Sequence, residues 1–291
     1  FDIAALSPTA SGNVPIVRLL DPFNNPVQFS NPWAGLSIAG EFGNPANDPE
    51  LFTITQPGTY TVLLEGRINN TGTRDYAFNI VPVVDESFTI SALDLTTGAL
   101  KSDAIDEPGE QDRYTFTIGP SGAQVYLDTL TNSSTIQWNL SGPTGAVVTN
   151  RLFNDGETGG LVVIYNLSAG DYTLTIDGLG AIFSGGATPT AGDYSFRLWN
   201  LVGATALAPG TPVLSATLNP GNETDLYRFT AVAGDKIFFD VREKTGTGSV
   251  FGRLVDPVGA QVFLNQFISS GSDVDQTTLT RTGTYTLLVH G

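Results

Sequence analysis

Gly58-Thr59-Tyr60-Thr61-Val62-Leu63-Leu64-Glu65-Gly66 returns as Gly170-Asp171-Tyr172-Thr173-Leu174-Thr175-Ile176-Asp177-Gly178, and again as Gly283-Thr284-Tyr285-Thr286-Leu287-Leu288-Val289-His290-Gly291. These stretches begin 112 and 113 residues apart. A second segment, Asp112-Arg113-Tyr114-Thr115-Phe116-Thr117, returns 113 residues later as Asp225-Leu226-Tyr227-Arg228-Phe229-Thr230. A third marker is a turn between apolar residues: Leu20-Asp21-Pro22, Ser141-Gly142-Pro143-Thr144-Gly145 and Val255-Asp256-Pro257-Val258-Gly259. Its spacings of 121 and 114 residues give the first copy a longer loop. A period near 113 is too long for a solenoid repeat of roughly 20 to 50 residues and matches a whole small domain.

On these markers copy one covers residues 1–83 and lacks its opening strands, copy two covers 84–201 and is complete, and copy three covers 202–291 and lacks a closing strand. The stretch that closes copy two, Gly192-Asp193-Tyr194-Ser195-Phe196-Arg197-Leu198-Trp199, has its counterpart in copy one as Arg74-Asp75-Tyr76-Ala77-Phe78-Asn79-Ile80 and none in copy three. The chain therefore reads as a window, out of phase with its own domains, on a longer array.

Within a copy the apolar residues alternate. Tyr114, Phe116 and Ile118 share one face, as do Tyr172, Leu174 and Ile176, and as do Tyr227 and Phe229. Period two means strands, and the Val, Ile, Thr, Tyr and Phe that fill them suit a pleated, half-buried surface. Turn residues separate the runs: Pro108-Gly109, Gly119-Pro120-Ser121-Gly122, Ser168-Ala169-Gly170-Asp171 and Pro220-Gly221-Asn222. No segment shows the pattern of an amphipathic helix. The expected fold is all-β: tandem antiparallel β-sandwiches of about 113 residues and about eight strands each.

The order of an Asp-x-Tyr-x-Phe strand, an apolar strand, an Asp-Pro-x-Gly hairpin, a Gly-x-Tyr-x-Leu strand and a closing Gly-Asp-Tyr strand resembles the bacterial pre-peptidase C-terminal domain family. The likeness covers copy two and most of copies one and three. It implies jelly-roll-like sandwiches that serve as noncatalytic accessory domains of secreted peptidases or as tandem modules of large bacterial surface proteins. Three consecutive copies without a peptidase signature favour the tandem setting.

Composition narrows the function from the other side. Thirteen Lys and Arg against twenty-nine Asp and Glu give a net charge of −16, which repels a phosphate backbone and argues against nucleic acid as a partner. With no Cys and one His, thiol chemistry, disulfides and Cys/His zinc clusters are out of reach. The longest apolar run, Leu161-Val162-Val163-Ile164-Tyr165, is far short of the roughly 20 residues of a membrane helix. No signal peptide is legible after Phe1, so any export signal lies outside this sequence. A Cys-free chain with charged residues at only 14% fits an exported bacterial protein that folds without disulfides.

Three features invite chemistry. Asp103, Asp106, Glu107, Glu110 and Asp112 surround the Pro108-Gly109 turn, and hard carboxylates converging on a loop are what Ca2+ requires. Asp103, Asp106, Glu110 and Asp112 are thus the candidate metal ligands, and Ca2+ the candidate ion; the matching stretch of copy three, Asn219-Pro220-Gly221-Asn222-Glu223-Thr224-Asp225, is poorer in acid. Trp33, beside Pro32 in the longer loop of copy one, is the candidate ligand-binding aromatic; Trp138 and Trp199 lie in expected strands, where packing is the default. Gly35-Leu36-Ser37-Ile38-Ala39-Gly40 and Gly246-Thr247-Gly248-Ser249-Val250-Phe251-Gly252 only approximate a nucleophile elbow and a dinucleotide loop. His290 takes the place of Asp177 and Glu65 in the other copies and is expected on the surface.

The sequence thus points to a noncatalytic extracellular structural or adhesive protein of a bacterial surface stalk, filament or layer. The alternative is a set of accessory substrate-binding modules of a secreted hydrolase. The links Ile80-Val81-Pro82-Val83-Val84 and Leu198-Trp199-Asn200-Leu201-Val202-Gly203 are apolar and short, so neighbouring domains are expected to pack. Partners are other copies of the chain, by strand addition or end-to-end packing, or surface polysaccharide.

Overall fold

A computed structural model describes residues 2–5, 16–27, 40–41, 54–65, 68, 73, 77–80, 82–107, 109–155, 164–179, 191–267 and 269–291. The chain forms two compact units, one of Phe1–Asp85 with Ile105–Gln111 and Asp177–Ala191, the other of Glu86–Ala104, Asp112–Ile176 and Gly192–Gly291. In the first, β1 (Asp2–Ala5) pairs antiparallel with β5 (Ala77–Asn79). A three-stranded sheet joins β2 (Ile16–Leu20), β3 (Gly40–Glu41) and β4 (Thr61–Glu65) in the order β3-β2-β4.

The second unit opens with β6 (Glu86–Thr89) and continues through β7 (Leu100–Ile105), β8 (Gln111–Ile118), β9 (Ala123–Thr129), β10 (Ile136–Gly142), β11 (Gly145–Leu152), β12 (Tyr165–Leu167), β13 (Gly170–Gly178) and β14 (Gly192–Asn200). They make two sheets, β11-β10-β13-β8-β6 and β12-β9-β14-β7, the all-β sandwich that the alternation requires. Tyr114, Phe116 and Ile118 are buried, with exposed or half-buried residues between them, and Tyr172, Leu174 and Ile176 alternate in the same way. The sheets meet through aromatic rings: Tyr114 of β8 stands edge-on to Phe196 of β14 at 5.0 Å. Each such side chain removed from water contributes about 1.5 to 3 kcal/mol.

β15 (Thr205–Ala206), β16 (Thr224–Ala231), β18 (Val250–Val255), β19 (Gln261–Phe267) and β21 (Gly283–His290) form a further sheet, and β17 (Lys236–Phe239) pairs with β20 (Val274–Thr278). Its order, β15-β16-β21-β18-β19, is the reverse listing of β11-β10-β13-β8-β6, strand for strand, including a parallel first strand: β15 runs parallel to β16 as β6 does to β8. The same stacked ring pair recurs, Phe116 on Tyr172 at 5.5 Å and Phe229 on Tyr285 at 5.7 Å. The other sheet does not recur in full. Where β9 has β12 on one edge and β14 on the other, β17 has only β20 among the described residues.

The Gly-x-Tyr stretches owe their Tyr to one bond. The hydroxyl donates to the carbonyl four residues upstream in all three: Tyr60 to Gln56 at 3.1 Å, Tyr172 to Ser168 at 3.0 Å and Tyr285 to Arg281 at 2.8 Å. This tyrosine corner fixes the turn into the strand that follows.

One short helix departs from the expectation of none. α1 (Ala92–Thr97) begins at a capping box in which Ser91 Oγ accepts from Asp94 N at 3.1 Å, and ends at Gly98 with φ of 59°. Six residues are too few to display a 3.6-residue period, so it leaves no pattern in the sequence. Among the described residues no helix is long and apolar enough to cross a membrane.

Candidate functional site

A cluster of interacting side chains in the second unit lies where β14 hands the chain on to β15. β14 ends at Asn200, whose side chain accepts from Val202 N at 3.2 Å and caps the 3-10 turn Leu201–Gly203. A glycine closes that turn because Thr96 O would lie 1.8 Å from a Cβ on Gly203. Around it Tyr126, Leu201, Ala204, Leu226, Val255 and Leu288 are buried together, with Ile164 and Trp199 against them. Tyr126 belongs to β9, Leu226 to β16, Val255 to β18 and Leu288 to β21, so strands from before and after the turn share one apolar cluster.

Polar links ring this cluster. Asp128, fully buried, accepts from Thr224 N at 3.0 Å and from Thr224 Oγ1 at 3.1 Å, and Tyr126 OH lies 3.1 Å from that same Oγ1. Arg197 donates to Glu223 Oε2 at 2.5 Å, while Glu223 Oε1 accepts from Asn219 N at 2.6 Å. Asn222 Nδ2 donates to Leu130 O at 2.9 Å, Gln124 Nε2 to Pro257 O at 3.2 Å and Asn166 Nδ2 to Val258 O at 3.1 Å. Burial raises the Asp128 carboxyl to about 6, against the opposing pull of the Thr224 hydrogen bonds and Arg197. A joint with an apolar centre and satisfied polar groups at its rim resists bending, because any rotation breaks several bonds at once.

Beside the joint is an open groove of about 920 Å³. Gln124, Asn166, Asn200, Arg228, Thr284 and Thr286 supply its hydrogen-bonding groups. Arg228 Nε is held by Ala204 O at 3.0 Å.

The structure places the predicted metal ligands in different surroundings. Glu110 is buried and turns its Oε2 onto its own turn, accepting from Asp106 N at 2.6 Å and Glu107 N at 2.9 Å. Asp106 is exposed. Asp103 Oδ1 accepts from Ala104 N at 3.1 Å. Asp112, fully buried, receives the Tyr194 hydroxyl on Oδ2, and Tyr194 OH in turn lies 2.9 Å from Tyr114 OH. Burial lifts the Tyr114 phenol to about 12, and burial with the Asp112 carboxylate beside it raises Tyr194 as well. Among the described residues no three acidic or His side chains stand together as a metal cage. The poverty of acid in copy three hid a correspondence: Glu223, 113 residues after Glu110, also reaches back four residues to a backbone N–H.

Trp33 and the Gly35–Ser37 stretch lie outside the described residues. Trp138 is buried, with the Arg151 guanidinium 5.7 Å from its ring. His290 corrects the expectation of a surface residue: it is fully buried and stacks on Phe251 at 5.5 Å. Burial and the Arg253 charge lower its imidazole to about 4. The joint itself was foreshadowed only by the apolar link Leu198–Gly203; nothing in the sequence marked Asp128 or Thr224.

In its described parts, then, the chain is an all-β protein whose distinctive site is an apolar cluster shared by strands before and after the Leu201–Gly203 turn. No family model matches it, and neither does any curated protein.

Proposed function

We propose that this chain is a noncatalytic structural or adhesive protein of a bacterial surface stalk, filament or layer, built of tandem β-sandwiches of the pre-peptidase C-terminal kind. The observation that carries the reading is the joint. Seven hydrogen bonds or ion pairs, those of Asp128, Tyr126, Arg197, Asn222, Gln124 and Asn166, ring a shared apolar cluster. Such a link transmits load and fixes the angle between modules, which a flexible tether to an enzyme does not need. Electron microscopy of the native material, with and without chelator, tests it: regular fibres or sheets support the reading, and their loss on chelation assigns Ca2+ a role in assembly. Isolated short rods would overturn it.

The open groove beside the joint favours a second reading, accessory modules that hold a polymeric substrate for a secreted hydrolase. Gln124, Asn166, Asn200, Arg228 and Thr286 offer donors and acceptors suited to sugar hydroxyls. Binding of the chain to insoluble polysaccharide, lost on Arg228→Ala, would favour it over the structural reading.

A further inference from the structure

The sheet β15-β16-β21-β18-β19 changes character along one of its faces. Leu226 of β16 and Leu288 of β21 lie in the joint cluster, while Tyr227 and Leu287, which alternate to the opposite face, pack in the other cluster. Two residues further along the joint face, β16 carries Arg228 and β21 carries Thr286, directly opposite each other in the ladder. Both line the open groove beside the joint.

The protein satisfies neither of them. Arg228 is half-buried and donates from Nε to Ala204 O at 3.0 Å, but among the described residues its Nη1 and Nη2 have no partner and no carboxylate pairs with it. Arg197, by contrast, meets Glu223, and Arg281 meets Asp256. In a chain with twenty-nine acidic residues, a half-buried guanidinium that meets none of them suits a carboxylate supplied from outside. Thr286 is only 3% exposed, yet its hydroxyl makes no hydrogen bond with the described residues. A buried hydroxyl without a partner costs about 1 to 3 kcal/mol, a loss that a group entering the groove would recover. The shared fold does not require this pair. On the repeat spacing Arg228 takes the place of Thr115, whose hydroxyl donates to Phe88 O at 3.2 Å.

The rest of the groove adds neutral polar groups and apolar edges. Gln124 Nε2 is committed to Asn166 and Pro257, which leaves its Oε1 as an acceptor. Asn200 Oδ1 is committed to Val202 N, which leaves its Nδ2 as a donor. Val202 and Val258, both exposed, line the same groove. One guanidinium fork, a hydroxyl, an amide donor, an amide acceptor and apolar edges match a ligand with one carboxylate, several hydroxyls and a C–H face. A sugar acid has all three.

We propose that the groove binds a carboxylate-bearing sugar residue of a polysaccharide, a hexuronate or a comparable sugar acid. Arg228 holds the carboxylate, and Thr286, Gln124 and Asn200 hold the hydroxyls. The net charge of −16 repels a densely charged polyanion, so the acid residue is a terminal or sparse one. The inference rests on the second reading above, that the groove holds a polysaccharide, and names the charged unit it selects.

NMR titration of the intact chain with glucuronate, glucose and acetyl-dialanine, which has a free carboxylate but no sugar hydroxyls, tests it. Glucuronate is expected to bind at least about tenfold more tightly than either of the others, with the preference falling as salt is raised. Arg228→Gln should remove the preference for glucuronate over glucose. Thr286→Val, which keeps the side-chain shape and removes the hydroxyl, should weaken glucuronate about fivefold, and it carries the test should Arg228→Gln not fold. Equal binding of glucose and glucuronate, or a preference that survives Arg228→Gln, would overturn the proposal and leave the polysaccharide reading standing. Acetyl-dialanine bound as tightly as glucuronate would overturn it in favour of a peptide carboxylate. Binding of none of the sugars would remove both the proposal and the reading beneath it.

Discussion

The Pro143 ring occupies the space into which a side chain on Gly170 would project: a Cβ there would lie 2.2 Å from Pro143 Cγ. The relationship holds three times. A Cβ on Gly58 would lie 2.5 Å from Pro22 Cγ, and one on Gly283 2.8 Å from Pro257 Cγ. The three glycines have φ of 149°, 140° and 149°, a region that residues with a Cβ rarely enter. The recurring Gly of the Gly-x-Tyr stretch and the recurring Pro of the hairpin are therefore two halves of one knuckle.

Gly170→Ala should lose about 2 to 4 kcal/mol, combining backbone strain with overpacking against the proline. The double variant Gly170→Ala with Pro143→Ala should recover the steric part and retain the backbone part. Urea unfolding reads both; equal stability of single and double variants would show that the ring is not what excludes the methyl group.

Removal of the hydroxyl in Tyr172→Phe or Tyr285→Phe should each lose about 1 kcal/mol, the net worth of one hydrogen bond, while leaving the buried ring in place. Tyr285 OH also accepts from the backbone Arg281 N at 3.1 Å, whereas the second partner of Tyr172 OH is the Ser168 hydroxyl at 3.3 Å, which can rotate to another partner, so the loss at Tyr285 should be the larger. Thermal unfolding of the two variants side by side checks the order.

Acidity should act on the second unit through two opposed groups. Asp128, raised to about 6 by burial from an ordinary 3.8, holds in the folded chain a proton that the unfolded chain has lost, so its contribution to stability falls as pH rises from about 4 to 6. His290, lowered to about 4 by burial and the Arg253 charge from an ordinary 6.5, is neutral in the folded chain where the unfolded chain is protonated, so its contribution rises over nearly the same range. Wild-type stability should change little with these groups between pH 4 and 6 as they offset each other. Asp128→Asn should steepen the rise of stability with pH, and His290→Gln should leave a fall, each by on the order of 2 kcal/mol across the window. Denaturation at a series of pH values checks the signs, and profiles unchanged from wild type would refute them.

Leu201→Ala should open a cavity at the centre of the joint cluster and lose about 2 to 4 kcal/mol. Because Leu201 sits between elements before and after the turn, the expected signature is a broadened or split thermal transition. A uniform downward shift of one sharp transition would mean that the cluster is not what couples the two sandwiches.

Strand character was legible because burial alternates along β8 and β13 as their side chains do. The turn markers were legible because each Pro and Gly has a steric task that no other residue performs there. What escaped notice depended on partners distant in the chain. His290 looked like a surface residue because Asp177 and Glu65 occupy the same step of the repeat, and only the fold brings Phe251 and Arg253 over it. Asp128 is one acid among twenty-nine until Thr224 is laid against it, 96 residues later. Glu110 accepts from two N–H groups of its own turn, an engagement that the acid-rich composition of the stretch does not reveal.

The knuckle also fixes where this architecture tolerates added length. Pro143 and Gly170 are 27 residues apart, Pro257 and Gly283 are 26, yet Pro22 and Gly58 are 36, and the same proline-on-glycine seat forms in each. Lengthening a connection costs only about 0.6 kcal/mol per doubling, so the connections between the strands of that span are natural ports for foreign sequence. A peptide or small domain grafted there would ride on the surface of the sandwich at a fixed point.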